Sequence, residues 1–168
     1  MGSEGHGRIV FFRPGLYHHR AHPCQHSAKR FEVRGVGTLI ALTFVLTIED
    51  RERFQKSRDV GCYVGLRPKQ SESGQSQPQL RISKEGDMYL RKLLVQGAHC
   101  ILSRRGPDTD LKRWGLKLAE RGGKNAKKRA IVAVARKLAV LLHRLWVTGE
   151  VYDALRNSQA AGSSKQAA

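Results

Sequence analysis

The chain has 168 residues, of which 31 are Lys or Arg and 14 are Asp or Glu, so its formal net charge is +17. This length predicts one domain, and the charge excludes an ordinary enzyme surface, because so large an excess indicates a polyanionic partner. The three cysteines are widely separated and predict no disulfide framework, so a reducing, cytoplasmic location is expected.

Residues 1–30 differ from the rest of the sequence, since they contain Gly, His, Arg and Pro without a clear period. A disordered segment, unrelated to the domain that follows, is predicted there. A group of His and Cys side chains within it suggests a metal site, but its spacing matches no regular zinc pattern and no second cysteine pair follows. No metal ligand is therefore assigned in this group, which comprises His18, His19, His22, Cys24 and His26.

Order is predicted to begin near Phe31, where a glycine turn leads into an apolar helix ending near Glu49. Gly35 and Gly37 in this turn would expose backbone N–H groups at the positive end of the helix dipole, where a phosphate can dock. Arg34 would add a charged contact. The turn is similar to the hairpin of helix-hairpin-helix proteins, which grip the duplex backbone; the alternative is a tight turn that feeds a core helix.

A long polar segment, residues 65–86, follows a predicted short helix and indicates a long loop or a loose hairpin. Loops of this length in compact domains are commonly functional or disordered. Basic residues surround this one, which suits the passage of a nucleic-acid strand. They are Arg67, Lys69, Arg81, Lys84, Arg91 and Lys92.

Ser73 lies in this loop, directly before Gly74. A serine hydroxyl needs a base or a metal to act as a nucleophile, and cations to stabilise the charge that develops on a phosphate. The cations are present but no suitable base is evident. From the residues alone, an ordinary loop serine is favoured.

Three helices are predicted after the loop, from Asp87 to Gly106, from about 108 to 121, and from near Asn125 to Gly149. Residues 81–145 carry 17 basic and 5 acidic side chains, a net charge of +12, so the charge lies on a folded scaffold. The alternative is a merely basic, solvated surface. The last apolar run is too interrupted by charges to span a membrane.

A basic cluster precedes and begins the last helix. Cations at a helix N-terminus oppose the dipole, so phosphate binding explains the cluster better than stability does; the alternative is a solvated helix face. Its members are Lys124, Lys127, Lys128 and Arg129. His99 and His143 are expected to lie at the surface or half-buried rather than to be catalytic.

Several segments occur in a specific order: the GVG turn with its apolar helix, RF, YVGL, then P-K-Q with Ser-Gly. RISKEGDMYLRKLLVQGA follows, then a helix with Trp114, GGKNAKKRAIVAVARKLA and a late Tyr152. This order resembles the C-terminal domain of the insertion-sequence 110/116/902 transposases, the RNA-guided DEDD type. The resemblance covers about residues 33–153.

The resemblance implies that Ser73 is the serine that attacks the DNA phosphate, with Ser71 as its rival. It also implies DNA as a partner, together with a guide RNA and other transposase subunits, as a homo-oligomer or with intact copies. In the family, an N-terminal RuvC-like domain holds a divalent metal such as Mg²⁺. Only Glu4 and Glu32 precede the turn here, so we expect a truncated copy without that domain or a cofactor of its own.

The sequence thus predicts a mostly α, compact helical domain over residues 31–155, with a helix-hairpin-helix-like turn, a long basic loop and a flexible tail at 156–168. The predicted function is DNA binding and strand cleavage and rejoining in transposition, incomplete in an isolated fragment and without a membrane partner. The alternative is a non-enzymatic, basic helical nucleic-acid-binding protein, for which Ser73 would be unimportant. A metal-binding module is disfavoured and would depend on Cys24.

Overall fold

The computed structural model describes residues 32–70 and 80–158. Within these ranges there is no extended strand, and a single antiparallel β-bridge joins Pro68 to Ile82. The prediction of a mostly α, compact fold is confirmed. The helices are α1 (Thr38–Ile48), a 3₁₀ turn (Ser57–Asp59) that leads into α2 (Val60–Tyr63), α3 (Met88–Leu102), α4 (Asp110–Glu120) and α5 (Ala126–Thr148).

Helix α3 begins where the sequence predicts it, because Asp87 is a true N-cap whose carboxylate accepts the backbone N–H of Leu90. Helix α4 begins slightly later than predicted. The buried Thr109 caps it, with its hydroxyl accepting the N–H of Lys112 at 3.1 Å. Asp108 instead forms an ion pair with Arg113 and stands outside the helix.

The long helix α5 is the centre of the bundle, and α3 and α4 pack along it. Two glycines allow close approach. A Cβ on Gly97 would lie 3.4 Å from the side chain of Leu138, and one on Gly115 would lie 2.6 Å from Val134 and 2.7 Å from Leu102. Gly97 in α3 thus lies beside Leu138 of α5, whereas Leu102, later in α3, lies close to Val134, earlier in α5. The two helices therefore run antiparallel.

Helix α1 closes one side of the core. Phe44 is fully buried and meets Trp146 of α5 edge to face, with ring centroids 6.4 Å apart. The opposite face of α1 is also apolar, and its leucines Leu39, Leu42 and Leu46 are 56%, 45% and 61% exposed. Helix α1 is therefore hydrophobic on all sides, although only one side is covered in the described part of the chain.

His143 is buried, with 1% of its surface exposed, so the expectation of a surface or half-buried position was wrong for this residue. Its Nε2 lies 3.1 Å from the carbonyl oxygen of Arg51, and its Nδ1 lies 3.0 Å from the hydroxyl of Ser57. Since a carbonyl only accepts, Nε2 carries the hydrogen and Nδ1 accepts from Ser57. The ring joins α5 to the segment before α2. His99, in contrast, is exposed.

The chain after α5 returns to α4. The N–H of Asp110 donates to the carbonyl of Ala154 at 2.8 Å, and the carboxylate of Asp110 accepts from the N–H of Asn157 at 2.7 Å and from the hydroxyl of Ser158. Residues 156–158 of the predicted tail thus contact α4. The predicted segment 1–30 and the rest of the tail lie outside the described residues. No helix within residues 32–70 and 80–158 is both long and apolar enough to cross a membrane.

Candidate nucleic-acid interface

The long polar segment forms a hairpin stem, which we call the basic stem and define as residues 65–69 and 81–84. The N–H of Lys69 donates to the carbonyl of Arg81 at 2.9 Å, and the N–H of Ser83 donates to that of Arg67 at 2.8 Å. Of the two predicted alternatives, the structure has the hairpin. The two flanks of residues 71–79, which lie outside the described ranges, are therefore paired at Lys69 and Arg81.

The base of the basic stem is a close crossing of two backbones at Gly65 and Gly86, which have φ of 74° and 81°. A Cβ on Gly86 would lie 1.8 Å from the carbonyl oxygen of Tyr63, and one on Gly65 would lie 1.9 Å from that of Glu85. These values leave no room for any side chain, so glycine is required at both positions.

Arg91 fixes this crossing to α3. Its Nη1 donates to the carbonyl of Val64 at 3.0 Å and to that of Glu85 at 3.1 Å. One nitrogen of Arg91 therefore holds both the segment that enters the basic stem and the segment that leaves it. Arg91 thus fixes the position of its basic neighbours, and its predicted contact with DNA stays a prediction.

The four basic side chains of the stem are exposed. Arg67 donates to the side-chain oxygen of Gln70 at 2.7 Å, and no ion pair with an acidic side chain joins the four stem cations within residues 32–70 and 80–158. Lys92, one turn into α3, is exposed as well. The stem therefore presents four exposed cations that form no ion pair in the described ranges, namely Arg67, Lys69, Arg81 and Lys84.

The glycine turn lies against the other end of α3. A Cβ on Gly35, whose φ is 92°, would lie 2.8 Å from Ile101 and 3.0 Å from the carbonyl oxygen of Gly97. Gly37 is the N-cap of α1, has no heavy atom within 4 Å of its Cβ position, and supplies no side-chain cap. Arg34 is exposed beside it. The glycine turn thus leads into the N-terminus of α1 as predicted, whereas phosphate binding there and the helix-hairpin-helix comparison stay predictions.

The basic cluster at the start of α5 is exposed, and Arg129 donates to the carbonyl of Gly122 at 3.3 Å. Asn125 has φ of 69° and provides no side-chain cap. Because α5 runs antiparallel to α3, this cluster lies toward the end of the bundle where α3 ends. Arg104 and Arg105 lie in the exposed turn at the same end. They were missed in the sequence analysis, although a paired Arg before Gly106 was a visible signal.

Comparison with known proteins identifies the family to which these elements belong. Residues 31–113, which include the glycine turn, the basic stem and α3, match the model of the Transposase IS116/IS110/IS902 family. The chain belongs to this transposase family. The resemblance inferred from the order of its motifs is thereby confirmed.

Curated transposases align with this member over a larger part of its length. The transposase for insertion sequence element IS1111A of Coxiella burnetii is 40% identical over 121 residues, which cover 71% of this chain and 32% of that protein. A putative transposase of Sinorhizobium fredii, y4pF/y4sB, is 32% identical over 136 residues (80% and 34%). A probable family 20 transposase of Pseudomonas aeruginosa is 34% identical over 114 residues (67% and 33%). The chain thus spans about a third of the length of these relatives.

The predicted nucleophile of this transposase-family chain, Ser73, and its rival Ser71 lie outside the described residues. Their flanks are described, and the basic stem fixes where that segment attaches. Among the described residues, no three His, Cys, Asp or Glu side chains converge as a metal site would require. The donor set here therefore does not fit the divalent metal that the resemblance implies, and we assign no step to a metal on these residues.

Proposed function

We propose that this chain binds DNA through the basic stem and takes part in the strand cleavage and rejoining of transposition. One observation carries the proposal: a rigidly anchored hairpin in a transposase-family domain presents four exposed cations on one short stem. Each cation that neutralises a phosphate releases condensed counterions, and this release drives binding to duplex DNA.

The anchoring supports a role beyond charge alone. The crossing at Gly65 and Gly86 and the two bonds from Arg91 hold the stem at the start of α3. A cation held in place binds a phosphate without first losing conformational freedom, so the stem is preorganised for a strand. The segment that contains Ser73 is attached to this stem, and a nucleophile there would work beside cations able to stabilise a phosphorane.

The first test is the salt dependence of duplex-DNA binding. Lys69→Ala/Arg81→Ala should weaken binding and make the plot of log binding constant against log salt shallower by about 1.8, because each lost phosphate contact removes about 0.9 from the slope. Arg58→Ala/Lys117→Ala is the matched control, since it removes the same charge from exposed positions outside the stem. Equal slopes for the two double variants would contradict a stem-centred interface.

The second test concerns cleavage. In a mixture of this chain, duplex DNA, Mg²⁺ and an intact family relative, we expect a covalent DNA adduct of this 18.8 kDa chain. The relative is more than twice as long, since 121 aligned residues make up only 32% of a protein such as the Coxiella burnetii transposase, so a denaturing gel separates the two adducts. The serine oxygen would bond to phosphorus as a DNA oxygen leaves, and Ser73→Ala should abolish the adduct without changing DNA binding.

Ser71→Ala is the control for this test and should leave the adduct intact. Loss of the adduct with Ser71→Ala instead would move the nucleophile to that position. No adduct of the wild-type chain in the mixture would contradict the cleavage part of the proposal and leave a DNA-binding domain.

A further inference from the structure

One face of α3 carries a row of exposed polar and aromatic side chains along the length of the helix. Its members recur at intervals of three, four and three residues, so they lie on one stripe of the helix. All four carry aromatic or hydrogen-bonding groups, and α3 contains no Asp or Glu. The stripe, which we call the α3 stripe, comprises Tyr89, Lys92, Gln96 and His99.

The phosphate-binding candidates described above bracket the α3 stripe. At its start, Arg91 holds the basic stem against the first turns of α3. At its end, the glycine turn packs on Gly97 and Ile101, and Cys100 lines the same shallow depression as Arg34 and Glu32. The exposed Arg104 and Arg105 follow directly after α3 and leave this end cationic. A helix face without carboxylates between two cationic ends complements an anionic groove in charge.

We propose that the α3 stripe enters the major groove of duplex DNA and reads base edges, an inference that rests on the DNA binding proposed above. An α-helix with its side chains is about 10–12 Å across and fits a major groove about 12 Å wide. The stripe from Tyr89 to His99 rises about 15 Å, which matches four to five base pairs at about 3.4 Å each. The basic stem and the glycine turn then contact phosphates on either side and fix the register.

Each member of the stripe has a chemical counterpart in that groove. Lys92 donates to the acceptors of guanine, and Gln96 both donates to and accepts from adenine. The exposed ring of Tyr89 offers an apolar contact for the thymine methyl group. The proposal therefore adds sequence preference to a surface whose other contacts are electrostatic.

The experiment selects duplexes from a randomised DNA library with the full chain, then measures binding to the selected sequence and to a scrambled one at fixed salt. Gln96→Ala is the decisive variant because it removes a reading group without changing charge. It should lower the ratio of the two affinities by about tenfold and leave the salt slope unchanged. Gln55→Ala is the matched control, since Gln55 is also exposed and lies outside α3, and it should keep the ratio.

The outcomes separate this inference from the function on which it rests. A wild-type chain that binds duplex DNA with no sequence preference, or a Gln96→Ala variant that keeps the preference, overturns the inference and leaves DNA binding standing. A chain that binds no duplex overturns both. Duplex RNA of the selected sequence should show no effect of Gln96→Ala, because its deep major groove admits no helix; an equal effect on RNA would exclude major-groove reading.

Discussion

At the scale of single residues, His143 has the most distinctive environment. Burial lowers the pKa of its imidazole below the ordinary value of 6.5, and the contact with the Arg51 carbonyl opposes this only in part. A histidine that folds in its neutral form binds fewer protons than it does in the unfolded chain. Protonation therefore favours unfolding.

We expect the free energy of unfolding to be constant above about pH 7 and to decline as the pH falls through 6.5, by up to about 1.4 kcal/mol per pH unit. The decline should end once the pH is below the lowered pKa. Urea unfolding between pH 7.5 and 5.5 measures it. His143→Gln should flatten the profile, whereas His99→Gln should leave it unchanged; a wild-type profile as flat as that of His143→Gln would disprove this explanation.

Glycines give the second prediction at this scale. Gly86→Ala should destabilise the fold by at least about 1–2 kcal/mol, because an L-residue at φ 81° is strained and its Cβ would meet the Tyr63 carbonyl. Gly37→Ala is the control, since Gly37 has φ of −83° and an open Cβ position. It should cost less, about 0.5–1 kcal/mol, because alanine is a poorer N-cap residue than glycine but meets no steric conflict here. Thermal unfolding compares the two, and equal midpoints would contradict the crossing.

At the scale of elements, the sequence predicted helices well and their contacts poorly. The start of α3 was readable because the Asp87 cap is local, three residues from the N–H that it accepts. Helix α4 begins at Asp110 rather than at the predicted Asp108, because Asp108 pairs with Arg113 and Thr109 provides the N-cap. Local alternatives of this kind are nearly equal in energy, so a pattern cannot choose between them.

The basic stem illustrates the second limit. Its basic residues and Arg91 were grouped as DNA contacts, which stays a prediction, but the sequence did not show that Arg91 bonds to Val64, 27 residues away. Such a bond depends on how the chain returns on itself, and no periodicity in the sequence encodes it. The role of Arg91 therefore became visible only with the fold.

A prediction follows for the stem as an element. Arg91→Leu should open the stem and accelerate hydrogen exchange of the amides of Lys69, Ser83 and Lys84, because its two anchoring bonds are lost. Lys92→Leu, next to it but exposed, should leave these amides protected. Unchanged exchange in Arg91→Leu would show that the glycine crossing alone holds the stem.

At the scale of the whole molecule, the predicted DNA-binding residues fall into two groups at opposite ends of α3. In the sequence the two groups are not distinguished, whereas the antiparallel packing of α3 and α5 places the start of α5 toward the C-terminal end of α3 and away from the basic stem. The family and the fold class were thus predictable from the sequence. The division of the charges was not.

This division has a measurable consequence. If one duplex contacts both groups, adding Lys127→Ala/Lys128→Ala to Lys69→Ala/Arg81→Ala should make the salt slope shallower by about a further 1.8, since distant sites add. The combined variant, each double variant and the wild type form a complete set for the measurement. No further change of slope would assign the start of α5 to an ordinary solvated face.

The exposed leucines on the outer face of α1 bear on the solubility and self-association of the purified chain. At low ionic strength a net charge of +17 keeps molecules apart. Added salt screens that repulsion and simultaneously strengthens the tendency of Leu39, Leu42 and Leu46 to leave water. Self-association through α1 should therefore increase with salt while DNA binding decreases, so the chain is most soluble in the conditions under which it holds DNA most tightly.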